Sequence, residues 1–361
     1  MLYPVVMPEE LPPPQPHKRR VRYSGRNPRK FSEKYKELDP AKYAQQAAHI
    51  IAKGQTPAGT HRPICVEEIL FILAPKPGEV CLDATLGYGG HTEKLLPRLL
   101  PGGKLFATDV DTAELPRTEA RLRALGFGPD VLITKKMNFA GVLGLLGEAG
   151  GGFDCVLADL GVSSMQLDNP ARGFTYKADG PLDLRLNPER GRPAAELLKS
   201  ISAEALEKLL FEYADEPHAK DIAKFIKESL LPVRTTERLS KVIREGMQRL
   251  HPKMEDALVK KALQRTFMAL RIGVNEELSV LERFLEALPW CLKPGGRVAI
   301  LSFHSGEDRR VKKAFARGEE AGIYASVAPT PQRPSPAERN NNPRSACAKL
   351  RWAVRSDKPV Q

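Results

Sequence analysis

From His61 onward, apolar residues follow two alternating rhythms. In one, short apolar runs are bounded by turn residues, as in strands. In the other, apolar residues recur every three or four positions, as on a helix face. Val66 to Leu73 puts Val66, Ile69, Leu70 and Leu73 on one helical face. Glu79 to Leu86 then reads as a first strand and Leu105 to Val110 as a second, with a helix from Thr92 to Leu100 between them. Thr112 to Leu125 predicts a helix, Val131 to Met137 a third strand, Phe139 to Ala149 a glycine-weakened helix, and Phe153 to Asp159 a fourth strand. Strands that alternate with helices build a parallel sheet covered on both faces, so the fold class is α/β.

The alternation stops after the fourth strand. Residues 168–191 are turn-rich, and residues 194–270 are almost wholly helical in period. Three stripes stand out: Leu206, Leu209, Leu210 and Tyr213 behind Ser202; Ile222, Phe225, Ile226 and Leu230; and Leu239, Val242, Ile243 and Leu250 behind Thr236. Each faces a polar side and is read as core. The α/β rhythm resumes with a helix carrying Leu278, Leu281, Leu285 and Leu288 up to Lys293-Pro294-Gly295-Gly296. A fifth strand follows over Arg297 to His304, and two closing strands over Tyr324 to Ala328 and Ala346 to Val354. The polar stretch Thr330 to Arg344 reads as a mobile loop. The predicted organisation is a discontinuous sheet domain, 61–170 and 271–361, interrupted by a helical domain, 171–270, that would select the substrate. Ahead of both, residues 1–60 form a flexible extension, with one helix over Asp39 to Lys53 and a linker over Gly54 to Gly59.

Charge changes this picture more than composition does. The 361 residues are 28% charged and 42% apolar, an ordinary globular balance, but the net charge is +12. Residues 1–60 hold 11 basic and 5 acidic residues, about half of that excess. Between positions 17 and 36 nine Lys and Arg are interleaved with Tyr23, Phe31 and Tyr35. Basic residues among aromatics suit a phosphate backbone and unstacked bases, so the expected partner is nucleic acid. The competing reading is a solvated basic tail. No run is long enough to span a membrane. The five cysteines include no C-x-x-C pair; Cys81 and Cys155 lie within apolar strands. Neither a zinc site nor a disulfide framework is expected, and a reducing cytoplasm fits best.

The candidate chemistry lies at the strand ends. Asp83-Ala84-Thr85-Leu86-Gly87-Tyr88-Gly89-Gly90-His91 is a strand, a glycine turn and a helix start. Glycines let the backbone turn with positive φ and approach a ligand, and the helix start offers free N–H groups. Asp109, ending the second strand, suits a ribose hydroxyl pair. Ligands of such sheets sit at the carboxyl ends of the strands, so Asp83, Asp109 and Asp159 are expected to converge on one crevice. Each could instead merely cap the next turn.

These motifs, with others downstream, carry a family resemblance. The further motifs are His61-Arg62-Pro63 with Glu67-Glu68; Leu160 to Asp168; Arg172-Gly173-Phe174; and Asp179 to Arg185. They continue with Leu270 to Leu278, Ser302-Phe303-His304-Ser305 with Glu307-Asp308-Arg309, and Asn342-Pro343-Arg344-Ser345. In their order and spacing the chain resembles the bacterial small-subunit ribosomal RNA cytosine-N4 methyltransferases, the RsmH or MraW family, from His61 to about Arg355. The stretch 1–60, the segment His251 to Lys261, Met165 and Gly306 depart from the family pattern.

The resemblance implies a Rossmann-like methyltransferase sheet and S-adenosylmethionine-dependent methylation of a decoding-centre cytidine at N4. It implies cofactor contacts at Gly89, Gly90, His91, Asp109, Phe139, Asp159 and Gln166. The partner would be small-subunit ribosomal RNA or the assembled small subunit, and a homodimer is compatible with it. A cytosine amine is a weak nucleophile that must lose a proton, which makes Asp159 the first catalytic candidate and His304 the second, with Ser305 beside it. Either histidine or acid could instead be structural or cofactor-binding. The base must leave its stack. Phe174, Tyr176 or Phe303 could hold it, with Asp183, Arg185 and Ser305 positioning it. Other readings are a DNA amino-methyltransferase, disfavoured because Leu160-Gly161-Val162 follows Asp159 in place of Pro-Pro-aromatic, and a non-catalytic RNA-binding assembly factor. A dehydrogenase is the weakest.

Overall fold

The computed structural model describes residues 63–359. The basic extension, its helix over Asp39 to Lys53 and the linker at Gly54 to Gly59 lie outside them. In chain order the helices are α1 Val66–Leu73, α2 Gly90–Leu99, α3 Glu114–Ala124, α4 Ser164–Asp168, α5 Ala194–Ser200 and α6 Ala203–Ala214. They continue with α7 Ala219–Lys227, α8 Thr236–Leu250, α9 Asp256–Asn275, α10 Glu277–Cys291, α11 Ser305–Glu320 and α12 Pro336–Asn341. The strands are β1 Val80–Asp83, β2 Lys104–Asp109, β3 Leu132–Lys136, β4 Phe153–Asp159, β5 Leu292–Ser302, β6 Tyr324–Val327 and β7 Lys349–Arg355.

The strands form one sheet in the order β3-β2-β1-β4-β5-β7-β6. The first five run parallel, and β7 is antiparallel to both β5 and β6. Strand residues divide by parity between two cores. Leu82, Phe106, Val156, Ala158, Val298 and Ile300 pack with α10 and α11 on one face. Cys81, Leu105, Ala107, Cys155, Leu157, Ala299 and Leu301 pack with α1 and α2 on the other. Burial on both faces is why these strands are continuously apolar. Strand order reverses between β1 and β4, which opens a crevice above the tips of these neighbours.

A third cluster is built from the helical block. Leu206, Leu210, Ile222, Ile226, Leu239, Ile243, Met247, Leu263 and Leu270 are its buried centre, and Phe174, Leu182 and Leu184 join it from the preceding loop. Leu184 is fully buried although its φ is +65°, a left-handed conformation that costs about 1–3 kcal/mol for a branched side chain. Asn275 holds this turn: its Nδ2 donates to Leu184 O at 2.7 Å and its Oδ1 accepts from Leu186 N at 2.7 Å.

Several boundaries differ from expectation. Strand β1 stops at Asp83, because Leu86 N already donates to Thr108 O and Asp159 N donates to Thr85 Oγ1. The stretch after β3 is a 3₁₀ helix, Phe139–Leu145, rather than an α-helix to Ala149; Gly141, Gly144 and Gly147 remove α-helical propensity there. Strand β5 begins at Leu292, with a register shift against β4 between Phe153 and Cys155. Leu230 and Leu250 fall off their stripes: both are exposed, and Leu230 lies beyond the end of α7. The cap of α8 is Thr235, whose hydroxyl accepts from Arg238 N, whereas Thr236 is buried and donates to Ala178 O. Thr330 to Arg344 is not a loose loop. It bridges to β7 through Gln332 and Leu350, forms α12, and is pinned by Arg344 to Asp168 at 2.9 Å. No helix among the described residues is long and apolar enough to cross a membrane.

Candidate active site

A cavity of about 1230 Å³ opens over the strand tips and extends under α9 and α10. Small-molecule sites are commonly about 300–1,000 Å³, so this one can take a nucleoside-sized cofactor with part of a second reactant. Its floor is the glycine turn after β1, Asp109, the Asn138–Gly141 turn and Asp159 to Ser163; its roof includes Arg271, Asn275 and Glu277.

The glycine turn is shaped by neighbours as much as by any ligand. Gly89 has φ +66° and caps α2, and a Cβ there would come within 2.9 Å of Thr118 Cγ2 on α3. Gly89 faces α3, whereas Gly87, Tyr88, Gly90 and His91 line the cavity. Gly90 packs against Pro63, 3.1 Å from where its own Cβ would be.

Two of the three strand-tip acids reach the cavity. Asp83 does not line it. Its carboxylate is buried and accepts from Thr92 Oγ1 at 2.6 Å and Thr85 N at 3.0 Å, so it fastens the turn to α2. Asp109 accepts from Gly87 N at 2.7 Å and Asp111 N at 2.9 Å. Burial pushes its carboxyl up to about 6 in spite of those two bonds. Each of its oxygens keeps a lone pair for another donor.

Asp159 stands at the tip of β4. Its Oδ1 is out of solvent and has no hydrogen-bond partner, while its Oδ2 is 3.5 Å from His91 Nε2, also unpartnered. Buried polar atoms are rarely left so, and unpaired ones facing a cavity fit a bound polar ligand. Phe139 lines the cavity and packs T-shaped on Phe284, centroids 5.0 Å apart. Gln166 also lines the cavity, with its amide engaged: Nε2 donates to Asp111 Oδ2 at 2.7 Å and Oε1 accepts from Ser163 N. Asp111, fully buried, also receives Arg172 at 2.8 Å, a junction that the sequence did not single out.

His304 lines the cavity just past the end of β5, as the residue that precedes α11. Its Nε2 lies 3.2 Å from Oε1 of buried Glu307, whose Oε2 accepts from Phe303 N at 2.9 Å. Burial would raise Glu307, but the contact with His304, the Phe303 N–H and the charge of Arg271 outweigh it and hold the carboxyl below its usual range. Arg271 itself makes a fork with Glu277, both bonds 2.8 Å. Arg271, Glu277 and Glu307 appear in the sequence motifs, yet only the packing of α9 against α10 and α11 brings them to one wall.

The expected RNA-contacting residues divide. Phe303 lines the cavity. Phe174 is buried in the helical core under Arg172, and Tyr176 leans on Phe267. Asp183 and Arg185 pair with each other, at 2.8 and 2.7 Å, outside the cavity lining. Ser305 Oγ donates to Asp215 Oδ2 on the helical block and also lies outside the lining.

Comparison with known proteins bears on this geometry. The sequence model of the MraW methylase family matches residues 58–356. Ribosomal RNA small subunit methyltransferase H 1 of Agathobacter rectalis is 52% identical over 344 residues, covering 94% of this chain and 98% of its own. Ribosomal RNA small subunit methyltransferase H 2 of Alkaliphilus metalliredigens is 52% identical over 341 residues, covering 94% and 97%. Ribosomal RNA small subunit methyltransferase H of Halorhodospira halophila is 38% identical over 328 residues, covering 84% and 97%.

Proposed function

The chain belongs to the MraW methylase family, and from that premise we propose that it methylates the N4 amine of a decoding-centre cytidine in small-subunit ribosomal RNA. It is an S-adenosylmethionine-dependent enzyme that acts on ribosomal RNA. The observation that carries the N4 assignment is Asp159: a strand-tip carboxylate with a buried, unpartnered oxygen facing a cavity that has room for a cofactor and part of a second reactant.

S-adenosylmethionine, when bound, supplies the electrophilic methyl group. Asp109 would accept from the ribose hydroxyls, Phe139 would pack on the adenine, and the turn Gly87 to His91 would hold the methionine end. Gly89 supports that turn from behind, and Gln166 braces the start of α3 through Asp111. Displacement at the methyl is in-line, so the protein acts chiefly by positioning. Asp159 Oδ1 accepts one N–H of the cytosine amine, which frees its lone pair from the ring, and takes the proton as the bond forms. His91 Nε2 stands beside it, 3.5 Å from Oδ2. Phe303 stacks on the extruded base. His304, oriented by Glu307, is the second candidate for the proton, favoured by its place on the cavity wall. Residues 171–270 act as the RNA-selecting lobe, and the basic extension adds phosphate contacts.

The test is methyl transfer from labelled S-adenosylmethionine to small ribosomal subunits, naked small-subunit RNA and DNA in parallel, with nucleoside analysis. N4-methylcytidine from the subunit or its RNA is the expected product. Methylation of another atom, or of DNA alone, would reject the reading.

A further inference from the structure

One group of ligand-type side chains lies away from the cavity. His218 caps the amino end of α7, Asp221 lies in its first turn, and His251 caps the carboxyl end of α8. One ligand atom from each lies within 4.8 Å of the others. His251 Nε2 is 3.5 Å from Asp221 Oδ2, yet it is out of solvent and makes no hydrogen bond. The two imidazoles face each other at 5.0 Å, tilted by 55°. None of the three residues lines the large cavity.

We propose that His218, Asp221 and His251 form a site for a late first-row divalent cation, zinc foremost. Two imidazoles and a carboxylate suit zinc, nickel or cobalt, whereas magnesium and calcium prefer all-oxygen sets. In a tetrahedral zinc site with bonds of about 2.0–2.1 Å, ligand atoms sit about 3.3 Å apart, so the His251–Asp221 pair is already spaced for one ion. His218 and Asp221, three apart on one helical turn, form a chelating pair, and His251 closes the set from another helix. The positive end of α7 opposes a cation, but the Asp221 charge and the negative end of α8 offset it. Three protein ligands leave a coordination position for water. The bound ion ties the start of α7 to the end of α8, just ahead of α9, which carries Arg271 and Asn275 to the cavity. Its effect is on the rigidity of the helical block rather than on cofactor binding.

The test uses the full-length chain without a histidine tag, stripped by chelator and titrated with zinc chloride, and in parallel with cobalt chloride. One zinc per chain is expected, with a raised Tm and visible cobalt absorption. His251→Ala and Asp221→Asn are each expected to weaken zinc binding by about tenfold or more and to abolish the Tm rise. His251→Gln, closer in size, does the same, and an unchanged metal-free Tm in that variant shows that folding is intact. No stoichiometric binding by the unsubstituted chain overturns the proposal, as does binding unaffected by both His251→Ala and Asp221→Asn. Binding lost only on Glu338→Gln also overturns it, by moving the ion to the Cys65, Glu68 and Glu338 group.

Discussion

The strand-tip half of the cavity and the helical block beneath its roof were both expected to supply site residues, and they behave differently. At the strand tips Asp109, Asp159, Phe139, Gly90 and His91 all line one cavity. In the helical block and its leading loop, Phe174 is core, and Asp183 and Arg185 satisfy each other. A parallel sheet dictates where its strand ends point. An inserted helical block imposes no such rule, so a motif there can be as much about holding the loop as about touching RNA.

The strongest way to break this contrast is Asp159→Ala. Loss of a proton acceptor at the reacting amine should lower turnover about 10²- to 10⁴-fold at saturating cofactor. Single-turnover methylation of the RNA measures it. Near-normal turnover would transfer the proton to His304, whose own Ala variant then becomes the deciding case.

Phe174 and Phe303 give a paired test. Phe174→Ala removes a buried ring from the helical core and should cost about 3–5 kcal/mol of stability, read by denaturant unfolding. Phe303→Ala should cost less stability but lose about 1–3 kcal/mol of base stacking, seen as lower kcat/KM on RNA with unchanged cofactor affinity. If Phe174→Ala instead left stability intact and weakened RNA binding, the helical block would carry a base contact that opens only with RNA.

The contrast also marks what was legible in the sequence. Period located the strands and the longer apolar-striped helices, because β4 is bounded by turns and those stripes are continuous, but it did not pick out α4, α11 or α12; α11 is rich in charged residues along its whole length. Short boundaries were lost where side chains compete for backbone groups: Thr85 taking the Asp159 amide ends β1, and Thr235 displaces Thr236 as a cap. The strand-tip acids were legible as a class, yet Asp83 turned inward, because Thr92 in the first turn of α2 offers it a buried hydroxyl. The Arg271–Glu277 fork and the His304–Glu307 contact are each local in sequence, but that both pairs share one cavity wall was not legible, since that depends on how α10 packs against α9 and α11. Thr330 to Arg344 looked mobile because polar residues predominate; Arg344 reaching Asp168 is a contact 176 positions apart that no local pattern encodes.

A pH titration sharpens the strand-tip side. Burial holds Asp109 at about 6, above its ordinary range. Folding therefore favours its protonated form: the stability from this group is fully present below about 4, the unfolded value, and is lost as pH rises through about 6. Cofactor binding has the opposite sense, because ribose hydroxyls donate to the carboxylate. Affinity for S-adenosylhomocysteine, measured by calorimetry, should fall about tenfold per unit as pH drops below about 6. Asp109→Asn should bind weakly and without that slope. A slope that persists in the Asn variant would place the titrating group elsewhere.

The smallest expected effect falls on Arg185. Its guanidinium forks onto Asp183, whose carboxyl those bonds hold below the usual range against the burial that would raise it. Arg185→Gln removes the fork but leaves the Asn275 bonds to Leu184 and Leu186 that hold the loop. The loss of charge-assisted bonds should cost about 1–3 kcal/mol of stability at most, and affinity for the cofactor should change by less than about twofold, since neither residue lines the cavity. RNA methylation should follow the modest change in stability. Loss of methylation with stability and cofactor affinity intact would mean that the fork opens to take an RNA phosphate, and the helical block would then contribute to the site through a pair that is closed on itself without RNA.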